Sequence, residues 1–140
     1  MAKIMLSDIK SIKITEAMFS TEKFPVISAT TLLKETIESM TKFNIGVACI
    51  VEDRNLLGVF TDGDLRRLLL SHQKPFPAIF ADDVSTYMTK SPCVIQKGAS
   101  IFDAITLINK KKIWDLPVLD SNKLVGLVNL HTLVTYINSQ

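Results

Sequence analysis

The densest chemistry in this sequence lies in Thr61-Asp62-Gly63-Asp64 and the Arg66-Arg67 pair that follows. The apolar run Gly58-Val59-Phe60 leads into them and a helical pattern leads out, so they fall where a strand turns into a helix. The first turn of a helix presents unpaired N–H groups and the positive end of its dipole, which together favour an anion such as a phosphate. At that turn the Thr61 hydroxyl can donate to a phosphate oxygen and the Asp64 carboxylate can accept two hydroxyl protons from a ribose or sugar. Gly63 leaves room for close approach. Arg66 and Arg67 suit either phosphate pairing or a solvated helix face. A hydroxyl and a carboxylate three residues apart also make a helix cap, and one residue can serve both ends. Asp62 and Asp64 lack the remaining ligands of a calcium loop.

Little else offers reactive groups. The histidines, His72 and His131, sit near no glycine-rich phosphate loop, nucleophile elbow or zinc spacing. We therefore expect neither a metal nor catalysis. Cys49 and Cys93 lie in apolar, strand-like stretches and read as free thiols of a cytoplasmic protein. Sixteen basic against fourteen acidic residues leave a net charge of +2, too balanced to indicate a nucleic-acid partner. Lys110-Lys111-Lys112 closes a helical pattern, where it complements the helix dipole. The apolar run 45–51 is too short to span a membrane, and the N-terminus lacks the apolar core of a secretion signal, so a soluble protein is expected.

The elements that position the Thr61 turn occur twice. Sliding the chain on itself by 68 residues lays Val26-Ile27 on Val94-Ile95, Leu33 on Ile101, Ile37 on Ile105, Met40 on Ile108, Gly58 on Gly126 and Leu65 on Leu133. Upstream, the segment 14–18 resembles 84–88. Each copy begins with a short extended segment (25–28; 93–96). An amphipathic helix follows (about 31–43; 101–111), then two β-rich runs (47–51 and 56–60; 116–119 and 124–128) and a closing helix (62–71; 131–138). Ser100 with Asp103 makes a capping box for the second copy, whereas the first has only Thr30 and Thr31. The fold class is α/β (α+β), β-α-β-β-α twice: motif 1 over 14–72, a linker over 73–83 marked by Pro75 and Pro77, and motif 2 over 84–138. Residues 1–13 read as a leader or a linker to an upstream domain. Each copy alone has little core, so the two are expected to pack sheet to sheet with pseudo-twofold symmetry.

The phrase from Gly58 to Arg67 resembles the signature that closes a CBS motif: glycine, apolar strand, Thr or Ser, two residues, Asp. The repeat order matches that family over nearly the whole chain. Thr-Asp-Gly-Asp-Leu-Arg-Arg (61–67) further resembles the CBS tails of bacterial D-arabinose 5-phosphate isomerases, as do Met18, Phe24-Pro25 and Leu32 in their spacing and His131-Thr132-Leu133 as a variant closing phrase. Some nucleotidyltransferases carry a similar phrase. The isomerases have an upstream sugar-isomerase domain, for which this chain has no room.

The resemblance implies a tandem CBS pair that senses an adenine nucleotide or sugar nucleotide, requires no cofactor, forms a homodimer and modulates an upstream sugar-isomerase domain. It sets Thr61, Gly63 and Asp64 against Cys93, Val94, Ile113, Trp114 and Asp115, with Trp114 either stacking a base or filling a domain edge. In the second copy Asn129 stands for Thr61 and Thr132 for Asp64, so the site formed by these with Gly46, Val47 and His131 is expected to be weaker. A structural association module without ligand is the competing reading.

Overall fold

The computed structural model describes residues 5–71 and 73–140; His72 therefore lies outside the described residues. In chain order the elements are α1 (Leu6–Ile9), β1 (Val26–Ile27), α2 (Leu33–Phe43), β2 (Val47–Glu52), β3 (Asn55–Thr61), α3 (Asp62–Ser71), α4 (Phe76–Phe80), β4 (Thr89–Lys90), β5 (Ile95–Gln96), α5 (Ile101–Lys111), β6 (Asp115–Asp120), β7 (Lys123–Asn129) and α6 (Leu130–Asn138). Single 3-10 turns at Ile14–Glu16 and Val84–Thr86 precede β1 and β4. The expected β-α-β-β-α order is observed twice.

The repeat holds to the level of register. Ile27 pairs in parallel with Ile50, and Ile95 with Val118. Val47 lies opposite Thr61 and Asp115 opposite Asn129, and both antiparallel ladders slip at the same place, after Ile50 and after Val118. Both amphipathic helices end on a left-handed residue, Asn44 (φ 52°) and Lys112 (φ 54°). The β2–β3 turn carries positive φ at both Asp53 and Arg54, as a two-residue hairpin of type I′ requires.

The helix starts follow the caps. Ser100 accepts from Asp103 N–H (3.1 Å) while Asp103 accepts from Ser100 N–H (3.0 Å), the expected capping box. In the first copy neither Thr30 nor Thr31 caps the helix. Leu32 is the extended residue before it, and Glu35 reaches back to the Leu32 N–H at 3.3 Å. The helix therefore starts at Leu33, two residues later than the pattern 31–43 suggests.

Two compact units result, and they do not follow the repeat boundaries. The central unit is Glu22–Pro92; the outer unit joins the residues up to Thr21 to Cys93–Gln140. The segment that opens each copy packs on the other copy's strands. Phe19 exchanges both backbone hydrogen bonds with Leu127 (2.8 and 3.0 Å), just as β4 pairs Thr89 with Val59 on β3. Ile14 N–H donates to Ala99 O (2.9 Å), and Val84 N–H to Thr31 O (2.8 Å). Glycine makes this docking possible. A Cβ on Gly58 would lie 2.6 Å from Thr89 O, and one on Gly126 2.7 Å from Phe19 O.

Each unit has its own core. Leu33, Met40, Ala48, Ile50, Phe60, Leu68, Ile79 and Val84 fill the central one. Ile14, Ile95, Ile101, Ile108, Leu116, Val118, Val128 and Leu133 fill most of the outer one. The stretch 73–83, expected as a plain linker, contains α4, with Pro77 in its first turn, where a missing N–H costs nothing. Its Ile79 is 2% exposed within the central core, so this segment is a packed element.

Candidate functional site

Thr61 ends β3 and caps α3. Its N–H and hydroxyl both donate to Asp64 Oδ2 (3.0 Å each), and its Oγ1 accepts from Asp64 N–H at 3.1 Å. The cap anticipated beside the ligand role is thus fully formed. The other carboxylate oxygen, Oδ1, accepts from Arg67 (2.9 Å) and from the Thr89 hydroxyl (2.8 Å). Asp64 therefore joins three things: the start of α3, an arginine on its next turn, and the strand β4. Its side chain is 10% exposed, whereas Arg67's is 63% exposed. Of the two donors on Oδ1, Arg67 is the one held by an exposed ion pair, worth little in water and readily exchanged.

Gly46 and Val47 lie against this turn in the same unit. Asp62 N–H donates to Gly46 O (3.0 Å), and Val47 pairs with Thr61. A Cβ on Gly46 would come within 2.7 Å of Asp62 Oδ2, so only glycine lets that carboxylate lie over the strand start. A Cβ on Gly63 would meet the exposed Arg67 guanidinium, at 3.2 Å.

The remaining expected residues fall in the outer unit, around the start of α6. Asn129 Oδ1 accepts from Thr132 N–H (2.9 Å) and Thr132 Oγ1 accepts from Asn129 N–H (3.0 Å), a neutral copy of the Thr61 cap. Asn129 Nδ2 donates to Asp115 Oδ1 at 3.0 Å. Trp114 is 72% exposed; with Leu130 (42%) and Val134 (46%) it walls a cleft of about 400 Å³ that Asp115, Asn129 and His131 also line. Cys93 and Ile113 pack against the outer core, and Val94 is half-buried just before β5. Within single units, then, Thr61, Gly63 and Asp64 come together with Gly46 and Val47, and Trp114 and Asp115 with Asn129 and His131.

Three participants escaped sequence reasoning. Thr89 reaches Asp64 only because the second copy's opening segment docks on the first copy's strand, a non-local event with no local signal. Leu130 and Val134 stand four apart on α6, off the stripe that buries Leu133, and that spacing was a readable sign of a second apolar face.

A second polar cluster ties down the central unit's opening segment. Asp82 accepts from Lys74 Nζ (2.9 Å) and from the Tyr87 hydroxyl. The hydrogen bond to Asp82, then burial, then the negative charge of Asp82 push the Tyr87 hydroxyl up to about 12. Among the described residues no group of three or more His, Cys, Asp and Glu side chains is placed to hold a metal, and no helix is long and apolar enough to cross a membrane.

Comparison with known proteins places this geometry in context. The model of the CBS domain matches residues 4–71 and 82–139. Arabinose 5-phosphate isomerase KdsD of Francisella tularensis subsp. tularensis is 30% identical over 124 residues, spanning 88% of this chain and 37% of that protein. Arabinose 5-phosphate isomerase GutQ of Escherichia coli O6:H1 is 30% identical over 120 residues, 84% and 36% of the two lengths. The chain thus spans little more than a third of these relatives. Among solved structures, CBSX2 in complex with AMP superposes with a TM-score of 0.79 at 25% identity, covering 91% of this chain and 97% of that one. MJ1225 of Methanocaldococcus jannaschii reaches a TM-score of 0.81 at 18% identity over 91% of this chain and 48% of its own, a likeness of fold.

Proposed function

Because this chain belongs to the CBS domain family, with two such domains in tandem, we propose that it is a sensor whose ligand, an adenine nucleotide or sugar nucleotide, is gripped at the Thr61–Asp64 turn. A CBS pair is a regulatory module rather than a catalytic one. The observation that carries the reading is the division of labour on Asp64: Oδ2 maintains the cap, while Oδ1 is held in part by the exposed Arg67. A ribose hydroxyl can replace Arg67 on Oδ1 without breaking the cap, and the released guanidinium is then available for phosphate. Gly63 adds no side chain in the way. The AMP complex of CBSX2 supports the choice of ligand.

The isomerase relatives support the context. In a longer protein of that kind the pair would bias an upstream sugar-isomerase domain through differential affinity for two of its states. A homodimer and a cytoplasmic setting belong to the same proposal. The Asn129–Thr132 cap offers no carboxylate, and any ligand there would be held less firmly.

Thermal unfolding with AMP and with UDP-glucose tests the reading. Binding at a hundred times Kd should stabilise the fold by about 2.7 kcal/mol. Asp64→Asn should abolish that gain. Absence of stabilisation by either compound would overturn the proposal.

A further inference from the structure

The Asp64 carboxylate has no vacant acceptor position. An ionised carboxylate offers about four lone-pair sites over its two oxygens. Oδ2 holds the Thr61 N–H and the Thr61 hydroxyl (3.0 Å each), and Oδ1 holds Arg67 (2.9 Å) and the Thr89 hydroxyl (2.8 Å). A ligand hydroxyl therefore reaches this carboxylate only by displacing a donor, and the donors differ in how readily they leave. The two on Oδ2 close α3, and losing them breaks the cap. Arg67 is 63% exposed on a long side chain, and its freed guanidinium regains a partner on phosphate. Thr89 has no such compensation. Its backbone is paired with Val59 on β3, and its carbonyl lies so close to Gly58 that a Cβ there would come within 2.6 Å. That anchoring keeps its short side chain beside Asp64. Exchanging it for a ligand hydroxyl swaps one hydroxyl donor for another and gains no hydrogen bond.

We infer that Thr89 determines specificity by limiting Asp64 to a single ligand hydroxyl, so that the turn reads one hydroxyl of a ribose or sugar ring and is indifferent to its neighbour. The inference rests on the nucleotide reading of this site and narrows its ligand class. It also narrows the sequence expectation that Asp64 accepts two hydroxyl protons. In the outer unit Phe19 docks on Leu127 as Thr89 docks on Val59, and Phe19 has no side-chain donor. Thr132 stands there for Asp64, so both members of the Thr89–Asp64 pair are exchanged together.

Calorimetric titration with AMP, 2′-deoxy-AMP, 3′-deoxy-AMP and 2′,3′-dideoxy-AMP tests the inference. One of the two monodeoxy compounds should bind within about threefold of AMP. The other, and the dideoxy compound, should bind about tenfold or more weakly, having lost one hydrogen bond to a charged group. Thr89→Val should open a second place on Oδ1. AMP should then tighten, and both monodeoxy compounds should fall about tenfold behind it. Valine matches threonine in shape and suits a strand, and a merely structural role for Thr89 would weaken all four compounds alike. Thr89→Ser keeps the hydroxyl and should keep the wild-type ranking. The inference is overturned if both monodeoxy compounds bind the wild type about tenfold more weakly than AMP, or if the dideoxy compound matches AMP. It is also overturned if Thr89→Val leaves the ranking unchanged or weakens all four alike. Binding by none of the four overturns the nucleotide reading itself and the inference with it, an outcome distinct from binding in the wrong order.

Discussion

The two units share a register, a bulge and a mode of docking, yet they place charge in opposite ways. In the central unit the start of α3 is closed by a carboxylate that also holds Arg67 and Thr89. In the outer unit an amide and a hydroxyl close α6. The opening segments repeat the contrast. Lys74, Asp82 and Tyr87 tie one down, whereas Ile12 and Ala17, which occupy the positions of Asp82 and Tyr87, pack apolar side chains on the outer core. The lesson is that backbone register and core volume specify this motif, while the polar groups at the helix start are free to diverge.

Core volume is the first place to break the comparison, and the effect should be the largest. Ala48 faces Phe60 across β2 and β3, and Leu116 faces Val128 at the matching positions of β6 and β7; all four are fully buried. Small against large in one unit answers medium against medium in the other. Phe60→Val should cost roughly 2–3 kcal/mol through the cavity it leaves. Ala48→Leu should cost about 1–3 kcal/mol through overpacking. The double variant copies the outer unit's pair and should cost less than about 1.5 kcal/mol. Urea denaturation of the four proteins checks this; simple additivity would show that the two pairs are not interchangeable solutions.

The helix starts come next. Thr61→Asn with Asp64→Thr transplants the outer unit's neutral cap onto α3. Loss of a cap costs about 0.5–2 kcal/mol, so Asp64→Ala alone should fall in that range. The transplanted pair should recover most of the loss and still fail to gain stability from AMP. Full retention of the AMP response by this variant would mean that the carboxylate is needed only for folding.

This contrast bears on how much of the molecule was legible in the sequence. The repeat, the fold class and most strand limits follow from apolar periodicity and turn residues, because register and burial depend on patterns that the 68-residue slide exposes. The Thr61–Asp64 cap was readable for the same reason, since its partners lie three apart. What escaped depends on contacts distant in sequence. That 14–19 docks on Leu127 rather than on its own copy is not written in either segment, since the two opening segments resemble each other. The helix within 73–83 was hidden because two prolines suggest a break, although Pro77 falls where a helix tolerates it. Trp114 was expected either to stack a base or to fill a domain edge, but its exposure and its Leu130 and Val134 neighbours needed coordinates.

The smallest effect concerns the tie between Tyr87 and Asp82, for which the outer unit has no counterpart. The Tyr87 hydroxyl ionises near 10 in an unfolded chain and about 12 in the folded one, because the folded state holds the proton against Asp82. A raised acid favours folding while it stays protonated, so its contribution is complete below pH 10 and is lost as pH rises from 10 to 12. Tyr87→Phe removes one half-buried hydrogen bond to a charged group and should cost about 1 kcal/mol near neutral pH. The difference between wild type and Tyr87→Phe isolates this group. That difference, measured by urea unfolding at fixed ionic strength, should be constant up to pH 10 and shrink toward zero by pH 12. A difference near zero at every pH would mean that Tyr87 stabilises the segment through its ring alone, which phenylalanine keeps, packed against the central core as Ala17 packs against the outer one.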